Sequence, residues 1–493
     1  MPYVTLDWLG EHTKIAEGTD AAQLAADLVK VGIEEEEIHA SQVQGPLVVG
    51  KVLTQEPKEQ KNGKVINYCR VDVGVHNDAP GEGKEPSDLP SRGIICGAHN
   101  FGPGDLVAVV LPGAVLPGPF SISSRKTYGH ISDGMICSER ELGLSNEHNG
   151  ILVLTERYSP EQIPEPGESL MDLFGFGEEI LEVNVTPDRG YCFSMRGLAR
   201  EYSHSTGQPF EDPGIAPVPE ADGKGFSVKI SDQNPIRGNI GCDRFVTRVV
   251  RGVDPQAKTP EWMVHRLEVA GMRSLSLPVD VTNYVMMDLG QPMHAYDLSK
   301  VDEALHVRRA KAGESLTTLD EVKRELDPED LLICDGAQGN RVLAIAGVMG
   351  GADTEVEEGT TDVLLEAAHF DAVSIARSSR RHKLPTEAAK RFERGVDPQL
   401  QAVAAQRAVD LLVEYGHGEA DSHITDLNNV PEPTPIAMGQ SYPSRLTGVD
   451  YGVGRITELL EMIGAQVDQD GDQLRVTAPS WRPDLTGPAD LVE

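Results

Sequence analysis

No Cys-x-x-Cys pair occurs in this 493-residue sequence. Its six cysteines, Cys69, Cys96, Cys137, Cys192, Cys242 and Cys334, lie far apart. That spacing excludes a zinc knuckle, offers no disulfide framework and fits a reducing cytoplasm. No hydrophobic run approaches a membrane span, and Asp7 and Glu11 fall where a signal peptide would not carry acids, so neither membrane insertion nor secretion is expected. Basic residues are scarce, with 44 Lys and Arg against 78 Asp and Glu and a net charge of −34. A general nucleic-acid binder is excluded on that balance, because affinity for phosphate comes from clustered cations. A P-loop, a G-x-G-x-x-G turn and any Ser/His/Asp or Cys/His set of telling spacing are also missing. What remains is ordinary globular material, 39% apolar with only 5% aromatic residues. At roughly one domain per 150 residues it is enough for three or four domains.

Charge is distributed unevenly. Residues 1–40 hold two basic and nine acidic side chains, whereas 376–395 hold seven Lys or Arg against two Glu. Any RNA contact should therefore be local. Thr19 to Val31 reads as a helix, with Thr19 as its cap and Leu24, Leu28 and Val31 on one face. Glu34 to Glu37 read as a solvated edge. From Leu47 the period becomes two, with Cys69, Val71, Val73 and Val75 on one strand face, and the series continues through Ile94–Cys96 and Leu106–Leu111. Glycine- and proline-rich turns between these strands predict an all-β barrel over 41–151. A mixed α/β region follows the acidic connector Tyr158–Ser169, with helices at Pro260–Ala270 and Pro398–Tyr415 and strands at Leu331–Cys334 and Val342–Ala346. The proline-rich stretch within 421–440 reads as a linker. Beyond it Ile456, Leu459, Leu460 and Ile463 mark a helix face, and Asp470-Gly471 turns a hairpin. That turn is also the better reading of Asp468, Asp470 and Asp472, which lack the glycine and glutamate spacing of a calcium loop.

Several motifs stand out. The barrel carries Ile95-Cys96-Gly97-Ala98-His99-Asn100 and Ser132-Asp133-Gly134-Met135-Ile136-Cys137-Ser138-Glu139. By residue type these are a strand end with a tight turn and a glycine turn into a capped short helix; together they resemble the OB-fold tRNA-binding barrel appended to many synthetases. Val185-Thr186-Pro187-Asp188-Arg189-Gly190-Tyr191-Cys192, then Gly197 to Glu201, Val279 to Val285, Gly290 to Asp297, Ala346 to Gly351, Leu365-Glu366, Thr386 to Ala388 and Arg391 to Pro398 follow in order. This series resembles the β subunits of bacterial phenylalanyl-tRNA synthetases along nearly the whole chain. The ATP-binding arginine motifs of class II synthetases are missing, and Gly129-His130-Ile131 has only a superficial likeness to the class I nucleotide motif.

The resemblance implies a multidomain α+β protein. An OB-fold barrel (41–151) would be inserted in a small discontinuous α/β module (1–40 plus 152–200), followed by an α/β editing domain (201–420), the linker (421–440) and a small helix-hairpin domain (441–493). It implies an editing pocket for tyrosine wrongly attached to phenylalanine tRNA, lined by Asn283, His294, Gly347, Glu366, Thr386 and Ala388. Glu366 suits a phenol acceptor, Gly347 and Ala388 would leave room for a ring, and Thr386, Asn283 and His294 offer polar groups. Each also has a plain structural alternative: His294 a hydrogen-bonded structural histidine, Glu366 a partner of an arginine in 377–381, Thr386 a helix N-cap. Trp481-Arg482-Pro483-Asp484 with Asp490 and Glu493 resembles the family's magnesium site, although a further glutamate of that motif is not present. The resemblance further implies an α-subunit partner in an α2β2 assembly, phenylalanine tRNA as substrate, ATP and Mg2+ used with the α-subunit site, and a cytoplasmic location. The rival readings are an architectural, tRNA-docking subunit without active editing and a free-standing editing hydrolase.

Overall fold

The computed structural model describes residues 2–39, 43–59, 63, 65–78, 90–144, 150–176, 178–232, 234–336 and 338–493. The chain divides into two compact units, one of residues 1–38 with 180–493 and one of 39–179. The expected boundary at residues 40 and 41 lies outside the described residues.

The first unit opens with β1 (Tyr3–Val4), α1 (Ala21–Leu28) and β2 (Glu34–His39). Asp20, not Thr19, caps α1: its carboxylate accepts the Gln23 N–H at 2.8 Å, while Leu24 and Leu28 turn to the core. The run of glutamates is a strand whose first four residues are exposed, at the edge of its sheet.

The second unit is built on β3 (Leu47–Glu59), β4 (Val65–Asp72), β5 (Arg92–Cys96), β6 (Leu106–Val110) and β7 (Met135–Ile136), in the order β7-β6-β3-β4-β5. The neighbours are antiparallel, and the long β3 pairs on both sides. The two edges of the sheet approach each other, since the Asp133 N–H donates to the Gly93 carbonyl at 2.8 Å and the Ile95 N–H to Ser132 Oγ at 3.0 Å. The result is a nearly closed, barrel-like sheet. Cys69, Val71 and Val73 are buried as the period of two requires, but Val75 is 92% exposed, because the chain has left the strand for a 3-10 turn at Gly74–His76. Ser138 and Glu141 form a capping box at the short helix Glu139–Leu142. Residues 152–179 pack with this unit, with Leu154, Tyr158, Leu170 and Phe174 in the core of Leu47 and Val49. The stretch 152–200 is thus divided, and only its second part joins the N-terminal residues.

The first unit resumes at β8 (Ile180–Asn184), which takes the centre of the sheet β1-β8-β2. Next come α2 (Met195–Thr206), β9 (Ser227–Ser231), β10 (Cys242–Arg251), α3 (Leu277–Leu289), β11 (Met293–Asp297) and β12 (Ala304–Arg309). Further on lie β13 (Leu331–Asp335), β14 (Arg341–Ile345), β15 (Met349–Gly350) and β16 (Val363–Phe370). Then follow α4 (Ala372–His382), α5 (Glu387–Arg394), α6 (Gln401–Gly416) and β17 (Thr425–Asn428). Two sheets dominate. One runs β11-β16-β10 with β17 along the far side of β10; the other runs β9-β12-β13-β14-β15, parallel only at β9 and β12. One apolar cluster joins residues of both sheets, including Phe245, Tyr296, Leu364, Leu332, Leu343 and Phe370. A larger cluster joins α2, α3 and α6. The stretch 421–440 is not a plain linker. It begins with β17, which pairs with β10, and ends in β18 (Ile436–Gly439), which joins the small sheet β18-β20-β19. That sheet is completed by β19 (Gln466–Asp470) and β20 (Gln473–Thr477) and backed by Ile456 and Leu460 of the helix Gly452–Met462.

All six cysteines are free and buried. Burial lifts the thiols of Cys137, Cys192 and Cys242 well above their ordinary range and those of Cys69 and Cys334 to about 12. Among the described residues no helix is long and apolar enough to cross a membrane.

Candidate functional site

Strand register assembles the centre of the site. Glu366 on β16 lies opposite Thr247 of β10 on one side and His294 of β11 on the other, so the three share a row across one sheet face. Tyr296, two residues beyond His294, projects from the same face. Its ring is fully buried, and its hydroxyl donates to Glu366 Oε2 at 2.6 Å. The imidazole of His294 meets the Tyr296 ring edge-on, with centroids 4.4 Å apart and planes at 78°. Glu366 is 5% exposed. Loss of hydration pushes its carboxyl up to about 7, and the Tyr296 hydrogen bond opposes that rise. Burial drives His294 down to about 4, so the ring is neutral at neutral pH. Nε2 of His294 is buried without a hydrogen-bond partner among the described residues. The ring fits only because residue 350 is glycine: a Cβ there would stand 2.7 Å from His294 Cε1.

The segment 346–351 ties the remaining positions to this row. Gly347 has φ +64°, and a Cβ would come within 2.9–3.0 Å of Phe392, Ile375 and Phe370. Its side-chain space is therefore filled by core, which corrects the expectation that it leaves room for a ring. Thr386 is the N-cap of α5, its hydroxyl accepting the Ala389 N–H at 3.1 Å and donating to the Val348 carbonyl at 2.9 Å. Its structural alternative is thus realised. Ala388, in the first turn of α5, is half-buried against the core of α2, α3 and α6. Asn283, on α3, and His294 both line a cleft of about 1280 Å3, together with residues 253–259, 274–279 and 355–360. The structure therefore brings Asn283 and His294 to one cleft, pairs His294 with Glu366, and links Thr386 and Gly347 to them through the 346–351 turn. Glu366 makes no pair with the arginines of 377–381: Arg377 and Arg381 are held by Glu329 and Asp330, and Arg380 stands 3.8 Å from Glu393. Tyr296 lies inside the Gly290–Asp297 motif, and its position two residues from His294 on a strand is the signal in the sequence that points to it.

The residues expected to ligate magnesium are not gathered. Asp484 is held by Arg482 at 2.6 Å, and Asp490 Oδ2 accepts from the Thr486 and Gly487 N–H groups and the Thr486 hydroxyl at 2.7–2.9 Å. Those donors hold the Asp490 carboxyl below its usual range. Glu493 is exposed. Carboxylates suit a hard cation, but here one is neutralised by a guanidinium and one is committed to a turn. Among the described residues these three do not converge on a common point, so the donor set does not fit a magnesium cage.

Residues 241–417 match the B3/4 domain family, and residues 436–493 match the tRNA synthetase B5 domain family. The phenylalanine–tRNA ligase β subunit of Bifidobacterium longum is 53% identical over 509 residues, covering 100% of this chain and 58% of that protein. Those of Leifsonia xyli and Thermobifida fusca are 50% and 49% identical, each covering 99% of this chain and 57% and 56% of the relative. The chain belongs to the phenylalanine–tRNA ligase β subunit family. It spans a little over half the length of these family members. A solved N-terminal fragment of the family's β subunit from Pyrococcus horikoshii is 16% identical with a TM-score of 0.31, covering 64% of this chain and 86% of that one. It is too distant to bear on the arrangement of domains. Within the family match, His294, Gly347, Glu366, Thr386 and Ala388 all fall in the B3/4 region, as does Asn283, and the three acidic residues fall in the B5 region.

Proposed function

We propose that this chain supplies the editing and tRNA-docking portion of a phenylalanyl-tRNA synthetase β subunit, hydrolysing tyrosine wrongly esterified to phenylalanine tRNA. Aminoacylation, with its ATP and Mg2+, belongs in this reading to an α-subunit partner in an α2β2 assembly. The observation that carries the proposal is the Glu366 carboxyl, buried in a sheet beside the neutral His294 and already bonded to a phenol, that of Tyr296. Tyrosine and phenylalanine differ by one hydroxyl, and an apolar synthetic pocket rejects an added hydroxyl poorly. A second site with a buried acceptor does better, because phenylalanine leaves that acceptor unpaired.

In this scheme Glu366 accepts the substrate hydroxyl. His294 orients the ester or the attacking water from the cleft it shares with Asn283, and its low pKa keeps it a neutral hydrogen-bonding group. No covalent nucleophile is assigned. The test is deacylation of tyrosyl- and phenylalanyl-tRNA by Glu366→Ala. A hydrogen bond to a charged acceptor contributes about 1.5–3 kcal/mol, so the preference for the tyrosyl ester should shrink by roughly ten- to a hundredfold. Full preference in a folded Glu366→Ala protein would assign the hydroxyl to another group.

A further inference from the structure

Glu366 is held from one direction only. Among the described residues Tyr296 is the one side chain that hydrogen-bonds it, and that bond goes to Oε2. Thr247, beside Glu366 on β10, spends its hydroxyl proton on the Phe226 carbonyl at 2.9 Å. On β11 the facing group is His294, whose ring is neutral, and farther along β10 lies the buried thiol of Cys242. No lysine or arginine among the described residues pairs with the carboxyl. A carboxylate offers about four acceptor positions on two oxygens, so Oε1 is left for something else. Tyr296 cannot swing aside to share it. It lies in the middle of a paired strand, it is fully buried, and its ring packs in the core that joins the two sheets.

We propose that Tyr296 is a specificity-positioning residue: by fixing Oε2 of Glu366 it turns Oε1 toward a single incoming hydroxyl, that of a tyrosyl ester. The proposal rests on the reading of Glu366 as the substrate's hydroxyl acceptor. An oriented acceptor discriminates because the bond forms only when the ligand's hydroxyl arrives along one direction. A carboxyl free to rotate would accept from water or from misplaced groups as readily. The Tyr296 hydrogen bond also favours the ionised form of Glu366, which makes Oε1 the stronger acceptor.

The experiment measures deacylation of tyrosyl- and phenylalanyl-tRNA by the full chain and its Tyr296→Phe, Glu366→Ala and Glu366→Gln variants, across pH 5–9, with thermal unfolding of each. Tyr296→Phe should lower tyrosyl preference by about tenfold, mainly through KM, and move the pH at which preference is lost upward. Glu366→Gln keeps the volume and gives Tyr296 a carbonyl to donate to, which locks the amide nitrogen outward. Its preference should fall nearly as far as that of Glu366→Ala, and this comparison stands even if Tyr296→Phe does not fold. If Glu366→Ala keeps its preference, the reading of Glu366 fails. If Glu366→Ala loses it while Tyr296→Phe keeps both preference and pH midpoint, or Glu366→Gln behaves as the native protein, only the role of Tyr296 fails.

Discussion

The guanidinium of Arg200 lies 3.6 Å from the ring centroid of Trp481. Arg200 comes from α2 and Trp481 from the segment after β20, 281 positions apart in sequence. Around this stack Arg196 joins Asp212 and Asp397 at 2.6 and 2.9 Å, and Arg482 stands over the Tyr191 ring. The Trp-Arg-Pro-Asp motif thus binds the B5 region to the Gly190–Cys192 and α2 segments of the same unit. Its arginine stands over Tyr191 and also holds the motif's own aspartate, Asp484, at 2.6 Å.

Trp481→Ala should accordingly destabilise the contact. A partly desolvated cation–π pair contributes about 2 kcal/mol, and the lost ring area adds to it, so a loss of about 2–4 kcal/mol is expected. Scanning calorimetry should show the lowest unfolding transition falling, with Trp481→Phe recovering part of it. An unchanged transition would mean that the B5 region is held by other contacts.

Two buried groups of the candidate site act on stability in opposite directions with pH. Glu366 is raised from an ordinary 4.5 to about 7, so the folded state keeps a proton that the unfolded chain releases. Its contribution is present below pH 4.5 and is lost as pH rises to 7. His294 is lowered from 6.5 to about 4, so the unfolded chain takes a proton that the folded state refuses; its contribution is present above pH 6.5 and is lost as pH falls to 4. The two nearly cancel between pH 4.5 and 6.5. Glu366→Gln should therefore gain stability relative to the native protein as pH rises through 4.5–7, by on the order of 3 kcal/mol. His294→Gln should gain as pH falls through 6.5–4. Chemical denaturation at four pH values measures both, and parallel curves would place the two groups in water.

The basic stretch 376–395 narrows to few candidates for RNA contact. Arg377 and Arg381 are bound by Glu329, Lys390 by Glu387 at 2.5 Å, Arg391 is buried, and Arg394 donates to the Val185 carbonyl. Arg380 remains 74% exposed, 3.8 Å from Glu393, and Lys383 is exposed at the end of α4. Arg380→Glu with Lys383→Glu should weaken binding of phenylalanine tRNA and flatten its salt dependence by about two phosphate contacts. An unaltered slope of log affinity against log salt would put the RNA elsewhere.

Local chemistry was the legible part of this chain. Period-two alternation marked Cys69, Val71 and Val73 as one buried face, and Asp470-Gly471 marked the hairpin, because both depend on neighbours in sequence. The misread details are those decided at a distance. Val75 continues the alternation but belongs to a turn, and Tyr158 and Ile163 read as connector but pack into the barrel core. For the site, the motifs pointed to His294 and Glu366, but the partner of Glu366 is set by the pairing of β11 with β16, which no local pattern reveals. The expected ligands Asp484, Asp490 and Glu493 rest on the family resemblance, and the commitment of Asp484 to Arg482 and of Asp490 to Thr486 becomes visible only with the fold.

The sealed cysteines have a practical outcome. Each thiol is held in its protonated, poorly nucleophilic form behind packed side chains, so the folded surface presents maleimides and disulfide reagents with no competing sulfur among the described residues. A cysteine introduced at Lys383 would be the one position to react. A fluorophore could then be set at the end of α4, beside the exposed Arg380, without first removing any native cysteine, and the chain would carry its own reporter of whatever approaches that surface.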